Sequence, residues 1–341
     1  MHTIDGSFGE GGGQVLRSAL ALSLVTETPV RITRIRARRD RPGLQRQHLT
    51  AVRAAAAVGR AEVTGAAIGS RELVFRPRGV TPGEYTFDVG TAGSATLVLQ
   101  TVLPALIGAA GPSAITLSGG THNPMAPPFE FVERAFLPIL ERIGPRVTAK
   151  LEAWGFYPAG GGRLRVTVEP APLSGLELLE RGAIRALSAV ASVANLAPSI
   201  ADRELRAAAT ALGWDPACFR SNVIMGSHGP GNVILMTIES DHVTEVFAGF
   251  GEKGVRAEIV ASRAAAEVRE YLDAGVPVGP HLADQLLLPL ALGGGGSFRT
   301  VAPTLHARTQ ADLIERMLGA KVAFVEESPR AFRVDVERGA R

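Results

Sequence analysis

A histidine with an unusual set of neighbours lies close to the C-terminal end of the sequence. His306 stands in the segment PTLHART, beside Thr304, Arg308 and Thr309, and the 341-residue chain contains seven histidines. A histidine in this setting can be a side chain packed in the core, a ligand to a metal ion, or a nucleophile. A structural role is the commonest on general frequencies, so the rest of the sequence must decide. We expect a short helix to follow this segment, beginning at about Thr309.

The sequence argues against a metal site built from histidines or cysteines. It has no closely spaced pair of histidines, and Cys218 is the only cysteine, which also excludes an intramolecular disulfide. A Mg²⁺ or Mn²⁺ ion that arrives with a nucleotide needs only one or two carboxylates. Glu10 is the carboxylate that we expect to hold such an ion.

Residues 31–60 form a strongly basic segment. They contain nine arginines and one acidic residue, Asp40, for a local net charge of +8, whereas the whole chain carries +3. This segment is either a solvated surface or a surface that binds phosphate groups. Lysine is scarce, since Lys150, Lys253 and Lys321 are the only three, and none lies in a P-loop or in the motif of lysine-adenylating ligases. Lysine is therefore not the obvious nucleophile if the protein activates a phosphate with ATP.

An internal repeat with a spacing of about eighty residues predicts the architecture. Residues 3–24 and 86–107 each contain a short strand that ends at an aspartate, a glycine-containing turn and an apolar helix. A second helix and further strands follow in both copies, and a shorter third copy lies near the C-terminal end. The predicted fold class is α+β: a large three-repeat domain at residues 1–181 and 277–341, with a small inserted α/β domain at residues 182–276.

The first helix of each repeat carries polar residues where an apolar stripe would be expected. These residues are Gln14 and Arg17, then Ser94 and Gln100, then Asp284 and Gln285. Three equivalent cases predict that the repeats converge on a shared polar cleft, although Asp284 alone could be a first-turn acid favoured by the helix dipole. The glycine-rich loop before Gln14 is either a tight turn or a place where the backbone approaches an anion.

Three loops add further candidate residues. Residues 38–48 lead through a Pro-Gly turn into a helix and carry Arg39, Arg41, Gln47 and His48. Residues 118–131 form a loop rich in glycine and proline, in which Pro127 and Phe131 could offer a flat apolar surface to a purine or could simply pack in the core. Residues 157–162, YPAGGG, predict a hairpin turn.

Six segments, in order along nearly the whole chain, carry a resemblance to a known family. They are DGSFGEGGGQVLRSALALS (5–23), PGLQRQHLTAV (42–52), GSATLVLQTVLPAL (93–106), HGPGN (228–232), HLADQLLLPLAL (281–292) and PTLHART (303–309). Together they resemble the RNA 3′-terminal phosphate cyclase family. The resemblance implies three repeated units, each with two helices on a four-stranded sheet, and a small thioredoxin-like insert.

The resemblance also implies a reaction in three steps. A histidine attacks the α-phosphate of ATP, the AMP passes to the 3′-phosphate of an RNA, and the neighbouring 2′-hydroxyl displaces AMP to leave a 2′,3′-cyclic phosphate. By match of motif, the adenylated histidine is His306. The implied cofactors are ATP and a divalent ion, Mg²⁺ or Mn²⁺, and the implied partner is an RNA with a 3′-terminal phosphate.

The resemblance assigns roles to further residues. Those expected to be catalytic with His306 are Glu10, Arg17, Arg36 and Arg39. Those placed on ATP are Gln14, Gln47, Gln100, His281, Leu282, Ala283, Asp284 and Gln285, with Pro127 and Phe131 beside the adenine. His281 stands where relatives often have a tyrosine, which bears on adenine stacking, and Gln310 and His122 are two further departures from the family pattern.

Three other functional classes compete with a cyclase. A catalytically silent branch of the same family, which assists ribosome assembly, lacks the nucleophilic histidine, so His306 argues against it. Enolpyruvyl transferases are built from similar repeats but need about twice as many. A plain RNA-binding module would explain the arginines of residues 31–60 but neither His306 nor the polar helix starts.

The ends and the hydropathy of the sequence bear on location. We find no signal peptide at the N-terminus and no apolar run long enough to span a bilayer, so we expect a cytoplasmic protein that does not bind a membrane. The sequence leaves open whether the chain forms a homodimer.

Overall fold

A computed structural model describes residues 1–339, which combine α-helices with mixed β-sheets. The strands are β1 (His2–Asp5), β2 (Val30–Thr33), β3 (Glu62–Thr64), β4 (Leu73–Arg76), β5 (Glu84–Asp88), β6 (Ser113–Gly119), β7 (Arg146–Ala153), β8 (Gly162–Glu169), β9 (Leu176–Leu178), β10 (Ile184–Ala194), β11 (Phe219–Ile224), β12 (Gly231–Ser240), β13 (Thr244–Phe250), β14 (Gly296–Thr300), β15 (Val322–Ser328) and β16 (Ala331–Val336).

The helices lie between these strands. They are α1 (Gly13–Thr26), α2 (Arg46–Val58), α3 (Ala95–Leu106), α4 (Phe129–Phe131), α5 (Leu137–Ile143), α6 (Ser199–Leu212), α7 (Ala257–Ala274), α8 (Pro280–Leu292) and α9 (Leu305–Leu318). A π-helical segment, Val132–Phe136, joins α4 to α5, and a 3₁₀ turn at Pro216–Cys218 precedes β11. None of the helices in the described part of the chain is long and apolar enough to cross a membrane.

Within residues 1–339 the strands form four sheets of four strands each. Three of these sheets have the strand orders β1-β2-β4-β3, β5-β6-β8-β7 and β9-β14-β16-β15. In each of the three, the first two strands are parallel and the other neighbours are antiparallel. The fourth sheet has the order β11-β10-β12-β13. Helices interspersed with mixed sheets confirm the predicted α+β class.

The burial of the strands shows which sheet faces are covered. Along β8 buried and exposed residues alternate, because successive side chains point to opposite faces and one face is covered. In β12, residues 232–238 are buried without interruption, so that strand is covered on both faces. The first pattern is typical of a sheet with helices on one side, and the second of a central strand between two layers.

The main apolar core places helix α1 beside α3 and α9. Leu20 of α1, Val98 of α3 and Leu313 of α9 are all fully buried in it. Ser18 donates a hydrogen bond to the Gln310 side chain, which fixes α1 against α9. A second buried cluster consists mostly of side chains from residues 182–276.

Helix α9 begins four residues earlier than the sequence predicted. Thr304 is its N-cap, and the Thr304 hydroxyl accepts a hydrogen bond from the backbone N–H of Ala307 at 3.0 Å. This bond satisfies a backbone donor that the first helical turn would otherwise leave unpaired, so the helix extends back to Leu305. The predicted start at about Thr309 is therefore wrong, and His306 lies inside the first turn of α9.

Candidate active site

Gln14, in the first turn of α1, contacts His306 at two points. Ring atom Nδ1 of His306 lies 2.7 Å from Gln14 Oε1, and Gln14 Nε2 donates to the backbone carbonyl of His306 at 3.0 Å. A carbonyl oxygen can only accept, so the amide nitrogen must face it and the amide oxygen must face Nδ1. Nδ1 therefore carries the ring proton and donates it to Gln14. This tautomer leaves the lone pair of Nε2 free.

Asp284 of α8 binds Thr304, the N-cap residue of the helix that carries His306. The Thr304 hydroxyl donates to Asp284 Oδ1 at 2.9 Å while it accepts from Ala307 N–H. Burial raises the pKa of Asp284 to about 7, and the bond from Thr304 partly offsets that rise. Asp284 thus reaches His306 through the N-cap of α9, and this role for Thr304 was not predicted from the sequence.

The glycine-rich loop before α1 is hydrogen-bonded to α9 and carries a partly buried ion pair. The backbone N–H of Glu10 donates to the Thr309 hydroxyl at 3.1 Å, and the Thr309 hydroxyl donates to the carbonyl of Leu305 at 2.7 Å. The Glu10 carboxylate accepts from Gly12 N–H through Oε2 at 2.7 Å and pairs with Arg39 through Oε1. The structure therefore brings Glu10 and Arg39 together beside the helix of His306.

Two glycines of this loop are needed because charged and polar side chains crowd the start of α1. A Cβ atom on Gly13 would stand 2.5 Å from His48 Nε2 and 2.7 Å from Arg17 Nη1. A Cβ atom on Gly12 would stand 2.5 Å from Glu10 Oε2. A larger residue at either position would displace these side chains, so the glycines allow the groups to meet at the N-terminal end of α1, where backbone N–H groups favour an anion.

Arg17 is a partly buried cation without an internal partner. Within residues 1–339 its guanidinium makes no hydrogen bond and no ion pair. Burial lowers the pKa of Arg17 to about 10, so the group still carries its charge at neutral pH. A guanidinium that is neither solvated on all sides nor paired is an unsatisfied site for an anion such as a phosphate.

Arg17 also affects the ring of His306. Partial burial lowers the pKa of His306, and the charges of Arg17, His281 and Arg39 lower it further. All of these causes disfavour the imidazolium form. The ring is therefore neutral at physiological pH, which is the form in which Nε2 can attack.

His48 is a second donor at the same place, and the sequence assigned it no role in the site. Its Nδ1 accepts from the backbone N–H of Gln45 at 3.2 Å, in a capping box that begins α2. Burial, followed by the charges of Arg17 and Arg36, lowers the pKa of His48 to about 3. The ring is therefore neutral, and because Nδ1 accepts, Nε2 carries the proton and can donate towards the start of α1. The Gln45–His48 spacing is the one signal in the sequence that could have pointed to it.

Arg36 lies in the loop after β2 in a left-handed conformation, with φ of 52°. Its guanidinium donates to two backbone carbonyls, that of Arg41 at 2.5 Å and that of Gly43 at 3.0 Å. Burial lowers the pKa of Arg36. These bonds hold the guanidinium of Arg36 in place. Its positive charge is one of the causes that lower the pKa of His48.

Of the residues predicted to contact ATP, Gln100 and Gln285 meet directly. Gln100 Nε2 of α3 donates to Gln285 Oε1 of α8 at 2.6 Å. His281 is exposed at the start of α8, whereas Leu282 and Ala283 are buried, so only backbone atoms of the latter two could face a ligand.

Gln47 lies apart from that pair and is tied to α3. Its Oε1 accepts from the backbone N–H of Ser94 at 2.7 Å. The two residues predicted beside adenine lie on either side of the start of α4. The carbonyl of Pro127 accepts from the Thr96 hydroxyl at 2.8 Å. The Phe131 side chain is 2% exposed. The Phe131 ring therefore offers little free surface to a purine in this conformation.

The acidic side chains near the site determine what kind of divalent ion it can hold. In the described residues, no three His, Cys, Asp or Glu side chains come together as a metal cage. Both oxygens of Glu10 are engaged, by Gly12 N–H and by Arg39. Glu10 thus offers one carboxylate, and one carboxylate is enough for an ion that nucleotide phosphates carry in.

Comparison with known proteins decides the family. A family model described as RNA 3′-terminal phosphate cyclase matches residues 8–324. The chain belongs to the RNA 3′-terminal phosphate cyclase family. Proteins named RNA 3′-terminal phosphate cyclase from Koribacter versatilis and Ectopseudomonas mendocina are 52% and 47% identical, over 96% and 98% of this chain and 92% and 98% of their own lengths. One from Ralstonia nicotianae is 49% identical over 98% of this chain and 96% of its own.

This cyclase family match spans the whole arrangement described above. The matched region includes Glu10, Arg17, Arg39, Asp284 and His306. Because the chain covers nearly the full length of these relatives, the similarity is not confined to one shared domain.

Proposed function

We propose that the protein converts the 3′-terminal phosphate of an RNA to a 2′,3′-cyclic phosphate at the expense of ATP, through a covalent His306–AMP intermediate. The observation that carries this proposal is the pair of contacts between Gln14 and His306. They hold a neutral imidazole with its Nε2 lone pair free, beside a guanidinium, Arg17, that has no partner within residues 1–339.

In the first step Nε2 of His306 attacks the α-phosphorus of ATP. The new N–P bond forms as the bond to the bridging oxygen breaks, and pyrophosphate leaves. The ring becomes positively charged, and its remaining proton on Nδ1 stays bonded to Gln14 Oε1. In the second step an oxygen of the RNA 3′-phosphate attacks the same phosphorus and returns the free Nε2. In the third step the adjacent 2′-hydroxyl attacks the 3′-phosphorus and loses its proton to solvent, and AMP leaves with the bridging oxygen.

The phosphate groups are stabilised by a cluster of donors at the start of α1. Arg17, the His48 Nε2–H and Arg39 supply cationic and neutral donors to the oxygens on which charge collects during each transfer. His48 is fixed by burial and by its bond from Gln45 N–H, and Arg39 by its pair with Glu10, so these two need little reorganisation when the charge develops. Arg36 adds a fixed positive charge behind His48.

We assign binding of ATP to residues of α3 and α8. Gln100, Gln285 and Asp284 would contact ATP, with His281 and the backbone of Leu282 and Ala283 at the start of α8. Pro127 and Phe131 remain the proposed neighbours of the adenine. Gln14 and Gln47 lie at the phosphate end of this set.

A divalent ion, Mg²⁺ or Mn²⁺, would reach the site with the phosphates of ATP and be held by Glu10. Bound there, such an ion neutralises phosphate charge. Glu10 is already oriented for this role by its contacts with Gly12 N–H and Arg39.

The finer architecture is part of the proposal. Three repeated units over residues 1–181 and 277–341 would carry the site, with residues 182–276 as an inserted thioredoxin-like domain; the last two residues of the second segment lie outside the described chain. The shared strand order of three sheets and the different order of the fourth support this division. The separate apolar cluster of residues 182–276 supports it as well.

The overall reaction is tested with a short RNA that ends in a labelled 3′-phosphate. We expect the end to become resistant to phosphatase only when the protein, ATP and a divalent ion are all present, with one AMP and one pyrophosphate released per end. If the protein binds the RNA but leaves its end sensitive to phosphatase, the proposal is wrong and a non-catalytic binding role is favoured.

A further inference from the structure

A cavity of about 430 Å³ lies next to the candidate site, and of its lining residues only Gln47 has a role in the function proposed above. Gln47, Gly93 and Asn123 are among the residues that line it, and three exposed lining residues, Met125, Tyr157 and Pro158, are called its rim below. Its volume is large enough for one nucleoside, whose base is flat and apolar on both faces.

The rim exposes two large side chains that the fold does not use. Tyr157 is 70% exposed and Met125 is 87% exposed, although the chain has only three tyrosines and five methionines. Within residues 1–339 the Tyr157 hydroxyl makes no hydrogen bond. Large apolar side chains that border one cavity and stay in water are typical of a ligand site.

A tight turn fixes the backbone at Tyr157. Tyr157 lies at its tip, because the N–H of Gly160 donates to the carbonyl of Phe156 at 2.7 Å. The turn lies against the loop before α3, where a Cβ atom on Gly160 would stand 3.0 Å from Ala92. An aromatic side chain on a fixed backbone has only two torsions to order when it stacks on a base.

Gln47 lies between this cavity and the phosphate donors Arg17 and His48. Gln47 Oε1 accepts from Ser94 N–H, so its amide N–H₂ is left without a partner in the described residues and is available as a donor. The next residue in the first turn of α2 is His48, whose Nε2 lies beside Arg17 at the start of α1. The cavity and the phosphate donors therefore lie on either side of one helical turn.

We propose that this cavity binds the 3′-terminal nucleoside of the RNA substrate, with its base stacked on Tyr157 and flanked by Met125, while its 3′-phosphate lies at Arg17 and His48. This inference rests on the proposed function. The amide of Gln47 then donates to the terminal nucleoside between the two. Recognition by stacking accepts any base, because every base has a flat face.

The test compares Tyr157→Ala with the wild-type protein on two RNAs that both end in a 3′-phosphate, one with a normal terminal nucleoside and one with an abasic terminal ribose. Loss of a base–aromatic stack corresponds to roughly a ten-fold or larger rise in the KM for the normal RNA. The wild-type protein should show the same rise with the abasic RNA. Tyr157→Ala should show no additional rise with the abasic RNA, because the interaction is already absent. Tyr157→Phe should retain the wild-type KM.

Two further readouts separate binding of the RNA from binding of ATP and from misfolding. The KM for ATP and the rate of self-adenylation without RNA should be the same in Tyr157→Ala and wild type. Ile259→Ala, which removes an exposed apolar side chain of α7 outside the cavity, serves as the matched control and should leave the KM for RNA unchanged.

The outcomes distinguish this inference from the proposed function. If the wild-type protein cyclises the normal RNA but Tyr157→Ala matches it, the cavity does not bind the terminal nucleoside. A rise in the KM for ATP, or an equal penalty on both RNAs, would also overturn the inference. If the wild-type protein does not cyclise any RNA, the proposed function is wrong, and this inference, which rests on it, is wrong as well.

Discussion

Gln14 and His306 are 292 positions apart in the sequence and meet through two hydrogen bonds, one to the ring Nδ1 and one to the backbone carbonyl. The pair determines which ring nitrogen is free. Gln14→Leu removes both bonds but keeps the size of the side chain, so the ring can rotate and change tautomer. We expect the rate of self-adenylation to fall roughly ten- to a hundred-fold, measured with ATP in a single turnover.

Gln14→Glu tests the same contact through charge. A carboxylate beside Nδ1 favours the imidazolium, so the pKa of His306 should rise. The acid limb of the profile of adenylation rate against pH should then move to higher pH than in the wild-type protein. An unchanged limb would indicate that position 14 does not contact the ring of His306.

Removal of the Arg17 charge should also move the acid limb of the adenylation rate to higher pH. The guanidinium is one of the causes that lower the pKa of His306 below its ordinary value of about 6.5. The midpoint of the acid limb of the wild-type rate should therefore lie below that pH. In Arg17→Gln the limb should shift upward, and the plateau rate should fall about 100- to 1,000-fold because a phosphate donor is lost.

Arg53→Gln is the control for the effect of Arg17. Arg53 is an exposed arginine of α2 in the same basic segment and is not among the groups that affect His306. Its removal changes the net charge equally. An upward shift of the limb in both variants would mean that net charge, and not the position of Arg17, sets the pKa of His306.

Glu10 should set the requirement for divalent ions. Glu10→Gln keeps the shape of the side chain but weakens the ligand, and we expect the Mg²⁺ concentration for half-maximal adenylation to rise roughly ten-fold. Asp5→Asn is the matched control, because Asp5 also pairs with an arginine, Arg34, at the end of β1. If the two variants require the same Mg²⁺ concentration as the wild type, Glu10 does not hold the ion.

The N-cap of α9 links stability to chemistry. Thr304→Val keeps the shape of the side chain but removes the bonds to Ala307 N–H and Asp284, so we expect a loss of about 1 kcal/mol in the free energy of unfolding. Amide hydrogen exchange should accelerate in the first turn of α9, and adenylation should slow. Thr304→Ser retains both bonds and should restore both properties; if it does not, the hydroxyl is not what positions His306.

Much of the fold could be predicted from the sequence because its signals are local. Apolar periodicity and glycine turns indicated most helices and strands, and repetition indicated that similar sheets would recur. The start of α9 was missed, since the segment TLHA has no apolar stripe and its helicity depends on the Thr304 cap. Base stacking by Phe131 was plausible from sequence, but its burial depends on how α4 packs.

The candidate site was only partly predictable, because its geometry depends on contacts between distant segments. The residue types at Glu10, Arg17, Arg39 and His306 are enough by themselves to suggest phosphate chemistry. His48 is different, since its tautomer follows from the Gln45 cap and its burial from the packing of α2 near Arg17. Likewise, no local signal connects Gln14 to His306.

The central claim is that His306 becomes covalently adenylated on Nε2. The most direct measurement incubates the protein with ATP labelled at the α-phosphate and Mg²⁺, then locates the label by peptide mapping. We predict close to one acid-labile AMP per chain, on the peptide that contains His306, and no adduct in His306→Asn. His242→Asn, which changes an exposed histidine outside the site, should label normally. Label on another residue, or an adduct that persists in His306→Asn, would contradict the account.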